Sequence, residues 1–140
     1  MKQYLIDTNV LISFITNRNP AQQKVVTPFF EKASKNQNKI LIHSLVVSEF
    51  VYVTQKIYRL TDHQVKNLLI LLFQSHGIEF VENFYFLSLF SIWPQHISDY
   101  GDAVVASFAQ NTLNCEILTF DKKFHKAANQ LNISTHLFTN

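Results

Sequence analysis

Residues 4–12 read Tyr4-Leu5-Ile6-Asp7-Thr8-Asn9-Val10-Leu11-Ile12. An apolar triplet, too short for a buried helix, stops at an acid. Apolar residues resume at Val10 and continue as VLISFI, which reads as a helix ending near TNRNP (16–20). A short apolar run bounded by polar residues is the pattern of a strand buried on both faces. The stretch therefore reads as strand, join, helix, with Asp7 at the carboxyl end of the strand.

The same pattern recurs along the chain. KILIH (39–43), IEFV (78–81) and EILTF (116–120) read as further short strands, and STHLF (134–138) as a fifth. Between them lie segments with helical spacing. Residues 21–35 form one, with Pro28 expected to kink or break it. Residues 44–58 form another, with Ser44 as its N-cap and strand as the competing reading, because β-branched residues are frequent there. Residues 60–77 start at Thr61 or Asp62 and end at Gly77. Residues 82–93 stop before Pro94. Residues 98–113 carry Ser98 or Asp99 at the cap, and residues 121–131 start at Asp121. SKNQNK (34–39) is a loop by composition. Strands alternating with helices, each strand nearly all apolar, predict a parallel sheet covered on both faces.

The 140 residues suit one domain spanning 1–140. Hydrophobic residues at 47% and charged residues at 16% exclude a disordered chain. The single cysteine, Cys115, excludes an internal disulfide and a thiolate-based zinc site, and reads as a small buried hydrophobe. The N-terminal apolar run is broken by Asp7 and does not read as a signal peptide. LLILLF is far too short to span a bilayer. These features lead us to expect a soluble cytoplasmic protein with no membrane partner. Only Gly77 and Gly101 are glycines, so there is no glycine-rich phosphate loop of the P-loop or dinucleotide-binding kind.

The acids fall in one place on this map. In a parallel sheet, ligands bind at the carboxyl ends of the strands. Asp7 ends the first strand and Asp121 follows the fourth. Glu49 lies in the second turn after the second strand, its side chain leaning back toward the strand ends. Asp99 and Asp102, three apart, share a face at the start of the helix before the fourth strand. Taken alone, Asp99 and Asp121 read better as helix N-caps than as ligands, while for Asp7 the cap is the lesser reading. Glu49, inside VVSEFVYV, has no such simple explanation. Two carboxylates about 5 Å apart repel by about 3 kcal/mol at an effective dielectric of about 20. A group of four must take up protons or hold a cation. Oxygen donors alone favour Mg²⁺ or Mn²⁺, ions that polarise phosphates.

The motifs IDTNVLI, SEF, DAVVASFA and LTFDKKF, in that order and over nearly the whole chain, resemble those of the PIN-domain family, especially VapC-type toxins of bacterial toxin–antitoxin pairs. The resemblance implies a three-layer α/β/α sandwich with a central parallel sheet of about five strands. It also implies a Mg²⁺- or Mn²⁺-dependent endoribonuclease that hydrolyses RNA phosphodiester bonds, pairs with a small antitoxin and forms a homodimer. A processing nuclease that is not a toxin, or an inactive PIN-fold binding protein, are the alternatives. Carried onto this chain, the catalytic and metal-binding acids are Asp7, Glu49, Asp102 and Asp121, with Asp99 as a further ligand or supporting group. Thr8, Asn9 and Thr119 match polar positions that orient the carboxylates by hydrogen bonding. Phe120 departs from the family, which often has a basic or polar residue there.

Ten acidic residues, five of them in the expected pit, leave five elsewhere against twelve Lys and Arg. The surface outside the pit therefore carries an excess of seven positive charges, suited to a nucleic-acid backbone. Lys122, Lys123, Lys126 and Arg18 are the candidate phosphate contacts, with Lys56 and Arg59 as further ones; any single one is otherwise an ordinary solvated charge. The six histidines are scattered without ligand spacing and read as structural or surface residues, His125 being the one candidate substrate contact. NLLILLF (67–73) and FYFLSLF (84–90) are apolar nearly all round. Core is the ordinary reading, and a homodimer face or a partner groove the alternative.

Overall fold

A computed structural model describes residues 1–139. Strands β1 (Gln3–Ile6), β2 (Lys39–His43), β3 (Ile78–Val81), β4 (Cys115–Thr119) and β5 (Thr135–Leu137) form one sheet in the order β3-β2-β1-β4-β5. Every pairing is parallel. Gln3 lies opposite both Lys39 and Cys115, and Ile6 opposite Leu118, so the central β1 is held on both edges. Seven helices connect the strands: α1 (Thr8–Ile15), α2 (Pro20–Ser34), α3 (Ser44–Lys56), α4 (Asp62–Gln74), α5 (Phe86–Ile92), α6 (Tyr100–Gln110) and α7 (Lys122–Gln130).

Consecutive residues are buried in the three inner strands: Leu5 and Ile6, Ile40 to Ile42, Ile117 and Leu118. Successive side chains on a strand point to opposite faces, so both faces must be covered. The architecture is the expected α/β/α sandwich. From β1 the chain steps outward through β2 to β3, then crosses back to β4 on the other side of β1. The order therefore reverses between β1 and β4, and a crevice opens outside their carboxyl ends. Asp7 and Asp121 stand there.

Several local expectations are corrected. α2 runs unbroken through Pro28. The Thr27 hydroxyl bonds back to the Gln23 carbonyl beside it, and Val26, Phe30 and Ala33 bury one face of the helix on the core. The segment at 44–56 is helix, not strand, and its N-cap is His43 rather than Ser44. His43 Nδ1 accepts from the Leu45 amide at 3.0 Å, while Nε2 meets the Asn83 carbonyl at 2.9 Å. This fully buried imidazole fixes the β2–α3 join, and burial lowers its pKa. α5 is shorter than expected: it begins only at Phe86, and its N-cap Tyr85 makes no side-chain capping bond. Thr61 caps α4 in a reciprocal capping box with Gln64. Gly77 follows α4 at φ 87°, pressed so closely on α2 that a Cβ would lie 2.2 Å from the Ala33 carbonyl oxygen. No other residue fits that turn.

The two apolar runs are not simply core. Leu72 and Leu89 are buried, but Phe73 is 75% and Leu87 91% exposed, and Leu71, Phe86 and Phe90 are exposed as well. Cys115 is half-buried, and burial pushes its thiol up to about 11. Among the described residues, no helix is long and apolar enough to cross a membrane.

Candidate metal centre

Three helix N-termini meet at the crevice, and an acid caps each. Asp7 Oδ1 accepts from the Val10 amide at 3.1 Å, Asp99 Oδ1 from Asp102 at 2.9 Å and Asp121 Oδ1 from Phe124 at 3.0 Å. The capping reading of these acids therefore holds. A carboxylate has about four lone-pair positions, so one capping bond leaves room for a further partner. The converging helix ends also offset part of the repulsion among the acids.

Asp7 is the most enclosed member, 8% exposed. Its second oxygen, Oδ2, accepts from the Thr119 hydroxyl at 2.5 Å, and that hydroxyl oxygen accepts from the Asp121 amide at 3.0 Å. One threonine at the end of β4 thus ties the acid after β1 to the backbone of the acid after β4. Glu49 reaches the group from α3. Its carboxylate comes so close to α6 that a Cβ on Gly101 would lie 2.8 Å from Glu49 Oε1 and 3.3 Å from Asp99 Oδ1. Asp102 follows on the first turn of α6.

The electrostatics show that these acids share one space. Burial first, then the charges of Asp121 and Glu49, push Asp7 up to about 6, against the hydrogen bonds from Thr119 and Val10. Burial and the charges of Asp99, Asp7, Asp121 and Glu49 push Asp102 up to about 7. Burial and Asp99 raise Glu49. Acids whose charged forms are so disfavoured offer favourable positions to a cation. The donor set is all oxygen, as a hard divalent ion requires. Thr8 Oγ1 is buried with no hydrogen-bond partner, although it lies close enough to Glu49 to favour its charged form. The residues therefore fit a divalent ion of the Mg²⁺ or Mn²⁺ kind. Among the described residues no three acids are already drawn around a common point.

Asp99, Asp102 and Asp121 also line a cleft of about 480 Å³ with Lys123 and the 94–98 loop. Lys122 and Lys126 are exposed on α7. Arg18 stands apart beyond the far end of α1, over the Tyr58 ring. The Asn9 side chain is exposed and, among the described residues, bonds to no carboxylate. His125 is engaged by Thr135 and Asn129. Sequence reasoning missed Gly101, whose lack of a side chain admits Glu49, and the 94–98 loop as a wall of the cleft. The only sequence signal for Gly101 was a glycine placed in the first turn of a helix between two acids.

The fold recurs in solved structures. One is VapBC2 from Rickettsia felis bound to a DNA fragment from their promoter: TM-score 0.68 and 20% identity, over 98% of this chain and 99% of that one. A second is the PIN domain endonuclease Utp24: TM-score 0.57 and 13% identity, over 99% of this chain and 86% of that one. A third is PAE2754 from Pyrobaculum aerophilum: TM-score 0.60 and 16% identity, over 90% and 79%. No curated protein sequence matches significantly. The sequence pattern of the PIN domain matches residues 4–130, nearly the whole of the chain, and the chain belongs to the PIN domain family.

Proposed function

We propose that residues 1–140 form a single catalytic domain that hydrolyses RNA phosphodiester bonds internally with Mg²⁺ or Mn²⁺. The observation that carries this reading is the gathering of Asp7, Asp102 and Asp121 where the strand order reverses, close enough that Asp7 and Asp121 disfavour charge on Asp102. Asp7, Glu49, Asp102 and Asp121 hold the cation, and Asp99 supports them from its cap position. Thr119 aims Asp7, Thr8 stands behind Glu49, and Asn9 faces the solvent side. When bound, the ion would neutralise charge on the scissile phosphate and activate water for attack. Lys123, on the wall of the cleft, faces the phosphate backbone, and Lys122 and Lys126 extend the basic rim along α7. Arg18 contacts the RNA further away.

Within this reading the chain is a VapC-type toxin acting in the cytoplasm, partnered by a small antitoxin and forming a homodimer. Likeness to VapBC2 over nearly the full length of both chains supports the toxin reading. The exposed apolar residues of α4 and α5 supply surface for both protein contacts. Likeness to the endonuclease Utp24 favours the second reading, a nuclease that is not a toxin.

The purified chain should cut RNA with Mg²⁺ or Mn²⁺ and stop in EDTA. Asp7→Asn cutting as fast as the parent would overturn the site. Growth arrest on expression, relieved by a small neighbouring gene, decides for the toxin. Indifference to both genes decides against it.

A further inference from the structure

A polar groove of about 240 Å³ runs along α1, lined among others by Asn9, Ser13, Thr16, Arg18, Asn19 and Tyr58. Asn9, Ser13 and Thr16 share one helix face. Asn9 directly follows Thr8, the residue beside Glu49, so the Asn9 end of the groove is the end toward the acids. It reaches Arg18, past the end of α1, an eight-residue helix about 12 Å long.

The guanidinium carbon of Arg18 lies over the Tyr58 ring, 3.5 Å from its centre, within cation–π distance. The arginine is exposed and, among the described residues, pairs with no acid; the ion pairs there are Lys2–Glu116 and Lys39–Glu79. Among the described residues, no carboxylate lines the groove. The tyrosine ring thus backs a planar cation whose residue is otherwise exposed to solvent. Arginine planes and aromatic rings are the surfaces on which unpaired bases stack. The neighbouring groups are already paired, Ser13 with Gln22 at 2.7 Å and Asn19 with the Gln22 amide at 3.1 Å. The exposed amide of Asn9 is free to meet a base edge. A peptide would want several apolar anchors, whereas among the described residues this groove is lined mostly by polar side chains, with Ile12 and the Tyr58 ring as the exceptions.

We propose that Arg18 and Tyr58 form a base-stacking subsite that holds one unpaired nucleotide of the RNA a short way along the strand from the cut. This inference rests on the nuclease reading for its substrate, but it makes a separate claim about binding. Arg18→Lys keeps the charge and loses the plane, and an exposed position tolerates it.

The test is fluorescence anisotropy with a labelled single-stranded RNA decamer in EDTA, where metal-dependent cleavage does not run, repeated with a decamer of abasic nucleotides. Parent protein should bind the normal decamer at least about fivefold more tightly than Arg18→Lys does. Parent and variant should bind the abasic decamer alike. Tyr58→Leu should match Arg18→Lys; if it melts early, Arg18→Lys alone decides. Equal binding of the normal decamer by parent and Arg18→Lys overturns the subsite, as does an equal loss on abasic RNA or no binding by the parent. A parallel assay with Mn²⁺ separates the two claims. Parent protein that binds in an Arg18-dependent way but never cuts removes the nuclease reading and keeps the subsite.

Discussion

Thr119 and Asp7, 112 residues apart in sequence, meet through a 2.5 Å hydrogen bond from the threonine hydroxyl to Oδ2. The bond lowers the pKa of an acid that burial raises, so it keeps Asp7 available as an anion. Thr119→Val is nearly isosteric and removes it. We expect metal-dependent activity to fall about 10- to 100-fold, the usual cost of losing a group that orients a ligand. The acid limb of the pH–rate profile should move to higher pH, because Asp7 then needs less acidic solution to ionise. Thr119→Ser should restore both. A pH profile of Thr119→Val superimposable on the parent's would remove Thr119 from the site.

Asp7 also sets a pH dependence of stability. Its folded value of about 6 stands above the ordinary 3.8. The folded protein therefore binds the proton more tightly than the unfolded chain. That contribution is fully present below about pH 3.8 and is lost as pH rises through about 6. Metal-free protein should accordingly gain stability on mild acidification from pH 7.5, until other groups titrate. Asp7→Asn keeps the cap and removes the titration. It should be more stable than the metal-free parent at pH 7.5 by about 1–3 kcal/mol, from about 1.36 kcal/mol per pKa unit. The difference should vanish near pH 4. Urea unfolding at both pH values checks this.

A cation that relieves the crowding must stabilise the fold by linkage. Melting temperature should rise with millimolar Mg²⁺ or Mn²⁺ and flatten in Asp102→Asn. Calorimetry should show divalent binding to the parent and much weaker binding to that variant. An equal rise in both proteins would place the ion elsewhere.

The strands were legible because β1, β2 and β4 are buried on both faces, which leaves continuous apolar runs with little else to be. Asp7 and Asp121 were legible for the same reason, as the first acids past such runs. The limits of α5 were not, because FYFLSLF is apolar all round and carries no period to mark an end. Nor was the exposure of Phe73 and Leu87, since hydrophobicity gives no account of which partner covers a residue. His43 escaped as a cap because histidine is not among the usual capping residues. The Arg18–Tyr58 contact depends on how α1 and α3 end, which no local pattern specifies.

Gly101 tests the geometry of the pit most directly. Its missing side chain lets the Glu49 carboxylate approach α6, where an added Cβ would lie 2.8 Å from Oε1. The obstructing atom is the far end of a flexible side chain, so Gly101→Ala should displace that carboxylate rather than unfold the protein. Alanine is also the better helix former, by up to about 1 kcal/mol, which offsets the local crowding. We expect an unchanged or slightly higher melting temperature, weaker divalent binding, and activity reduced by about tenfold or more, as small misplacements at catalytic centres cause. Glu49→Gln should lose activity on its own, and adding Gly101→Ala to it should cost little further, because the alanine acts through a carboxylate already removed. Full additivity of the two losses would show that Gly101 serves the α6 turn and not Glu49.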